Sequence, residues 1–146
     1  MAFIKRIRRN WQGREKWAVT AVTQGAPVST KELCQYIADT STASAGDVMA
    51  VLMSLPKIME IYMMNGRAVK LDSIGIFRYK VSSAMVDQEE EAGESLIRDV
   101  RVQFTPERTV TTVGKRRITR RALIPDNIKW EIYDKPSKSK KTTEEG

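Results

Sequence analysis

Residues 48–64, VMAVLMSLPKIMEIYMM, limit what this chain can fold into more than any other stretch. Val48, Met49, Val51, Leu52, Met53, Leu55, Ile58, Met59, Ile61, Tyr62, Met63 and Met64 are apolar, while Ser54, Lys57 and Glu60 recur three apart. This spacing predicts a helix whose polar stripe is narrow. A surface helix on a small monomer needs an apolar stripe about 100° wide, and one apolar over most of its circumference must be covered on several sides. Packing against both its own domain and a second copy of the chain satisfies that demand. A central place in one monomeric core is the alternative. Pro56 removes a backbone donor mid-helix and should kink it, and Asn65-Gly66 supplies a left-handed stop. Beyond the stop the period changes to two: Val69, Leu71, Phe77, Tyr79 and Val81 alternate with Lys70, Asp72, Arg78 and Lys80, which predicts a strand. Gly75 permits a close turn or bulge there.

The chain is 146 residues long, enough for one domain with extensions but not for a large core. Its net charge of +7 is unevenly spread. Residues 1–27 carry six Lys/Arg against one acid, and residues 100–125 carry seven against one. Residues 87–99, by contrast, hold six acids and one arginine. Two basic blocks flanking an acidic loop suit a phosphate-bearing partner, although a solvated basic surface has the same composition. The single cysteine, Cys34, excludes an internal disulfide, points to a reducing compartment, and reads as a buried apolar filler. No stretch reaches the roughly 20 apolar residues of a membrane span, and the basic start MAFIKRIRRNW lacks the apolar run of a secretion signal.

Taken in order, residues 3–25 predict a hairpin of FIKRIRR and KWAVTAVTQ joined at 10–13. Lys5, Arg6, Arg8 and Arg9 place the first strand at a sheet edge, where charge blocks unwanted pairing; contact with nucleic acid accounts for them equally. Ser29 and Glu32 have capping-box spacing for a helix to about Asp39, with Leu33, Cys34, Tyr36 and Ile37 on its inner face. Ser44 and Asp47 are positioned to cap the long helix. Val100, Val102 and Phe104 predict a strand returning antiparallel to the one containing Phe77, with a long protruding arm between them. Thr105-Pro106-Glu107 resembles a helix start, though Thr109, Thr111 and Thr112 are poor helix formers. A last strand lies within NIKWEIYD, and the charged end of the chain reads as disordered.

Enzyme chemistry has little to build on. Histidine is absent, which removes the commonest general base and metal ligand, and one cysteine cannot form a zinc site. Asp87, Glu89 and Glu91 alternate like calcium-loop ligands, but the glycine falls one residue late and Arg98 stands where a bidentate Glu belongs. No cofactor, metal or small-molecule substrate is expected. A helix-turn-helix reader built on 30–39 and 47–64 fails because the second helix offers almost no polar side chains to base edges.

The pieces Lys31-Glu32-Leu33, Ile37-Ala38, Asp47-Val48, Leu52, Leu55, Asn65-Gly66, Val69, Leu71, Ile74-Gly75-Ile76-Phe77 and Val102-Gln103-Phe104-Thr105-Pro106 resemble the HU and integration-host-factor family of bacterial histone-like DNA-binding proteins. Coverage is about residues 28–117. The terminal segments look most like the extended HU-like proteins of Bacteroides-type bacteria.

The resemblance implies an α+β, HU-like fold: two N-terminal helices, a three-stranded antiparallel sheet with a protruding β-arm, and an intertwined homodimer. Its domains would be an N-terminal β extension (1–27), the HU-like domain (28–118), a C-terminal strand extension (119–134) and a disordered tail (135–146). It also implies cytoplasmic, nucleoid-associated binding of double-stranded DNA through phosphates. Arg78 and Lys80 would lie on the arm's outgoing strand, Arg98 and Arg101 on its return, Arg108 at the start of a last helix, and Lys115, Arg116 and Arg117 in the C-terminal basic block.

One departure matters. The family's arm tip carries a basic segment with a proline that wedges between base steps, and here the span 87–94 is acidic and proline-free. Phosphates repel such a tip, so DNA binding would shift to the sheet and to the basic extensions at 5–9 and 115–121. The alternative is a dimeric interaction module whose acidic arm contacts a basic protein.

Overall fold

The structure, a computed structural model, describes residues 1–133; the expected disordered tail at 135–146 lies outside the described residues. In chain order the elements are β1 (Ala2–Trp11), β2 (Arg14–Val22), α1 (Thr30–Thr40), α2 (Ala45–Met64), β3 (Val69–Leu71), β4 (Gly75–Ser83), β5 (Ile97–Pro106), β6 (Arg108–Val113), β7 (Arg116–Arg121) and β8 (Trp130–Ile132). They fall into two compact units, Met1–Ala26 with the segment from Asp126 on, and Pro27–Pro125.

The first unit is a three-stranded sheet in the order β2-β1-β8. The expected hairpin is present, turning on Gln12 and Gly13, whose positive φ values of 51° and 76° suit a two-residue turn between twisted strands. The expected edge position of the first strand is corrected: β1 is central, with β8 parallel to it over Ala2, Phe3 and Ile4. The physical reason is length. β8 covers only the apolar start of β1, and Lys5 to Trp11 still present an open edge. Arg8 stands over the Trp17 ring at 5.3 Å and pairs with Glu15 at 3.3 Å.

The second unit begins with the two helices. Ser29 caps α1 by accepting from the Glu32 N–H at 3.2 Å. A full capping box opens α2: Ser44 Oγ accepts from the Asp47 N–H, and the Asp47 carboxylate accepts from the Ser44 N–H. α2 runs unbroken through Pro56 and closes on Gly66 at φ 76°, with Gly66 N–H bonded to the Met63 carbonyl and Arg67 N–H to that of Tyr62. Period-three and period-four spacing puts Leu52, Leu55, Met59 and Met63, among the more covered of its apolar residues, on one side of α2, and on α1 Cys34 is buried.

Little else is covered. Among the described apolar side chains only Cys34 and Met63 are buried. The expected inner face of α1 is therefore corrected: Cys34 lies inside, but Leu33, Tyr36 and Ile37 are exposed on the single chain. On α2 a second stripe at i, i+7 and i+11, made of Val51, Ile58 and Tyr62, is also open, with a shallow apolar hollow formed by Ala50, Val51, Leu55 and Ile58.

The sheet of this unit has the order β3-β4-β5, antiparallel throughout. A tight turn at Asp72 to Ile74 joins β3 to β4, with the Ile74 N–H bonded to the Leu71 carbonyl. β3 pairs only with Gly75, Ile76 and Phe77, so beyond Phe77 strands β4 and β5 continue as a two-stranded ribbon. The largest correction follows β5. No helix starts at Pro106; residues 108–121 form a separate antiparallel hairpin, β6–β7. Thr109, Val110, Thr111, Thr112 and Val113 are β-branched and lose rotamer freedom in a helix, and Gly114-Lys115 makes a two-residue turn with Gly114 at φ 62°.

Candidate nucleic-acid interface

Side chains alternate along a strand, and directly paired residues share a face. Register alone therefore sorts the β3-β4-β5 sheet. One face carries Val69, Leu71, Phe77, Tyr79, Val81, Val100, Val102 and Phe104; Phe77 and Phe104 are paired with ring centroids 4.9 Å apart. The other carries Lys70, Ile76, Arg78, Lys80, Ser82, Asp99, Arg101, Gln103 and Thr105. Of the residues expected on the arm, Arg78, Lys80 and Arg101 thus converge on one face, with Lys80 directly opposite Arg101. Arg98 does not join them: the register shifts at Ser82/Ser83, and Arg98 is the extra residue of that bulge.

Opposed like charges destabilise a ladder by a few tenths of a kcal/mol or more. Arg101 is partly relieved by Asp99, to which its Nε donates at 2.6 Å. Arg78 and Lys80 form no ion pair among the described residues.

The ribbon ends in residues 84–96, closed by a hydrogen bond from Ala84 N–H to the Leu96 carbonyl at 2.9 Å. Short 3-10 turns at Glu89–Glu91 and Glu94–Leu96 leave every carboxylate of the tip exposed.

The remaining expected residues lie on the hairpin. Arg108 stands at its root, directly across from Arg121; Lys115 is in the turn; Arg116 pairs with Val113 and Arg117 with Thr112. Alternation puts Arg108, Arg117 and Arg121 on one face and Arg116 and Arg120 on the other.

Glu107 was not among the expected site residues, and it fixes where the hairpin starts. Its carboxylate accepts from the Ser73 N–H at 2.6 Å and pairs with Lys70 Nζ at 3.2 Å. Its N–H donates to the Ile74 carbonyl, and its carbonyl accepts from Ala122 N–H at 2.7 Å. The β3–β4 turn and both ends of the hairpin thus meet at one residue. The sequence signal was that Glu107 is the one acid within residues 100–125.

The Ser73 N–H, and then the Lys70 ammonium, hold the Glu107 carboxyl below its ordinary value of 4.5. A depressed carboxyl adds stability above its unfolded value and loses it as pH falls through the folded one. Acidification below about pH 4.5 should therefore lower the thermal midpoint of the wild type more steeply than that of Glu107→Gln, measured by circular dichroism. Parallel curves would remove Glu107 as the anchor. Glu107 and then Asp72 keep Lys70 charged above its ordinary 10.5, so its contribution is present below that value and fades only at higher pH.

Two comparisons bear on this arrangement. A family model, HU-HIG, described as an HU domain fused to a wHTH, Ig or glycine-rich motif, matches residues 3–120. A search of curated proteins finds no match.

Proposed function

This chain belongs to the HU-HIG family of HU-type domains, and from that membership we propose that it is an architectural protein binding double-stranded DNA as a homodimer, with little sequence preference. The observation that carries the reading is the convergence of Arg78, Lys80 and Arg101 on one sheet face, two of them without an anionic partner among the described residues. Cations so placed suit phosphate rows, and phosphate contacts carry no sequence information.

The homodimer is supported by apolar surface left open on the single chain: Val51 and Ile58 of α2, and Val81, Val100 and Val102 of the ribbon. Exposed apolar side chains on both elements mark interaction surface, and a second copy offers the same side chains in return. The acidic tip is repelled by a groove lined with phosphates, so the ribbon contributes its strands and not its end. Among the described residues no helix is long and apolar enough to cross a membrane; a cytoplasmic place on the nucleoid and an extended, Bacteroides-type subfamily are parts of the same proposal, as is the absence of a catalysed reaction.

The test is a fluorescence-anisotropy titration against a mixed-sequence duplex at several salt concentrations. Six or more neutralised phosphates give a log–log slope of about −5 or steeper and a loss of roughly a thousandfold between 50 and 200 mM salt. Absence of binding at low salt would refute the reading and favour a basic protein as partner of the acidic tip.

A further inference from the structure

We propose that the β6–β7 hairpin is the arm with which this protein enters DNA, passing tip first into the major groove. The inference rests on the DNA-binding reading above.

Its charge is the first ground. Residues 108–121 hold six Lys/Arg and no acid, and every residue of both strands is exposed. Arg108 faces Arg121 across the ladder, a pairing that costs stability in an isolated ribbon. Neither of them, nor Lys115, Arg116 or Arg117, is in an ion pair among the described residues. A polyanion lying against the hairpin would offset this repulsion.

Placement is the second ground. Through Glu107 the hairpin is rooted at the Gly75–Pro106 end of the sheet, opposite the acidic tip. β5, ten residues long, separates those two ends by about 30 Å. That is some three Debye lengths at about 0.1 M salt, so the tip's carboxylates scarcely reach the root. The acid-tipped ribbon and the cationic hairpin leave the sheet from different ends.

Shape is the third. Arginines on both faces suit a ribbon standing between two phosphate walls, not one lying flat on a surface. The major groove, about 12 Å wide, admits a two-stranded ribbon, whereas the minor groove at about 6 Å does not without deformation. A depth of about 8.5 Å takes in the turn and its first pairs, namely Lys115, Arg116 and Arg117.

The experiment compares the full chain with Lys115→Gln/Arg116→Gln/Arg117→Gln and with a charge-matched control, Lys5→Gln/Arg6→Gln/Arg9→Gln, all checked for an unchanged melting curve and oligomeric state. The hairpin variant should lose two to three units of salt slope and about a hundredfold in affinity at low salt, and the control much less. Methyl green, a major-groove ligand, should compete with the wild type, and netropsin, a minor-groove ligand, should not. If the wild type binds and the hairpin variant matches it, the hairpin is not the arm. Equal losses in both variants would mean net charge alone and equally overturn it, and competition by netropsin alone would overturn the groove. A wild type that binds no DNA would instead refute the parent reading.

Discussion

Ile58→Glu is expected to leave the protein monomeric by sedimentation and without a cooperative thermal transition. Ile58 is half-exposed on the single chain, on the same α2 face as Val51 and Tyr62, and among the described apolar side chains only Cys34 and Met63 are buried. A fold with so little interior cannot offset the conformational entropy of ordering its backbone, about 1–2 kcal/mol per residue. The proposed second copy must supply the missing apolar contact. A glutamate placed in that contact without a partner costs at least about 2–7 kcal/mol, the range for an unpaired polar group, and a two-fold dimer carries the change twice. Lys57→Glu is the matched control. It adds a carboxylate one residue away on the polar stripe, breaks only the exposed pair with Glu60, and should leave the dimer intact. A dimeric Ile58→Glu protein with a wild-type melting curve would show that this face of α2 is not the contact.

Gly75→Ala should be the most destabilising single-methyl change in the sheet. Gly75 is buried at the start of β4, opposite Pro106, and a Cβ there would overlap the Thr105 carbonyl oxygen and lie 2.7 Å from a Phe104 ring carbon. The oxygen belongs to the backbone of the neighbouring strand and cannot swing aside, so β4 and β5 must part where β3 also pairs. Overpacking of this kind costs about 3 kcal/mol, read as a lower urea midpoint at unchanged slope. DNA affinity should fall with it, because the register that gathers Arg78, Lys80 and Arg101 begins at this residue. A shift below about 0.5 kcal/mol, the scale of an ordinary surface substitution, would mean that the strands accommodate the methyl and that Gly75 serves only the turn.

Much of this architecture was legible before any coordinates. Ser44 with Asp47, and Asn65 with Gly66, bracket α2 because caps act within a turn of the residues they serve. The change of period after Gly66 located β3 and β4, and Phe104 with its neighbours located the return strand, since side-chain alternation is also a local property. The cationic stretches were equally plain.

Other features depended on pairings across the chain. Whether Arg78, Lys80, Arg98 and Arg101 share a face is set by the register between two strands, and one bulge at Ser82/Ser83 removes Arg98 from the group. A helix after Pro106 was a fair expectation from Thr105-Pro106-Glu107, yet β-branched residues on one strand found a partner strand across Gly114 and made a hairpin. β1 became central because a strand more than a hundred residues later reached its apolar start. Glu107, read from the sequence as part of a helix start, gained its anchoring role only where Ser73 and Lys70 close around it.

By itself, then, the sequence determined where α1, α2 and the strands leading to and from the acidic tip lie, the surplus of apolar surface on α2, and the division of charge into basic blocks around an acidic tip, because these are encoded within a few residues of one another. The tertiary structure alone decided which cations stand together, which strand lies at a sheet's centre, and that a hairpin anchored by Glu107 replaces a helix. Those outcomes follow from hydrogen-bond register and contact between residues distant in the chain, where a shift of a single residue turns a side chain to the opposite face.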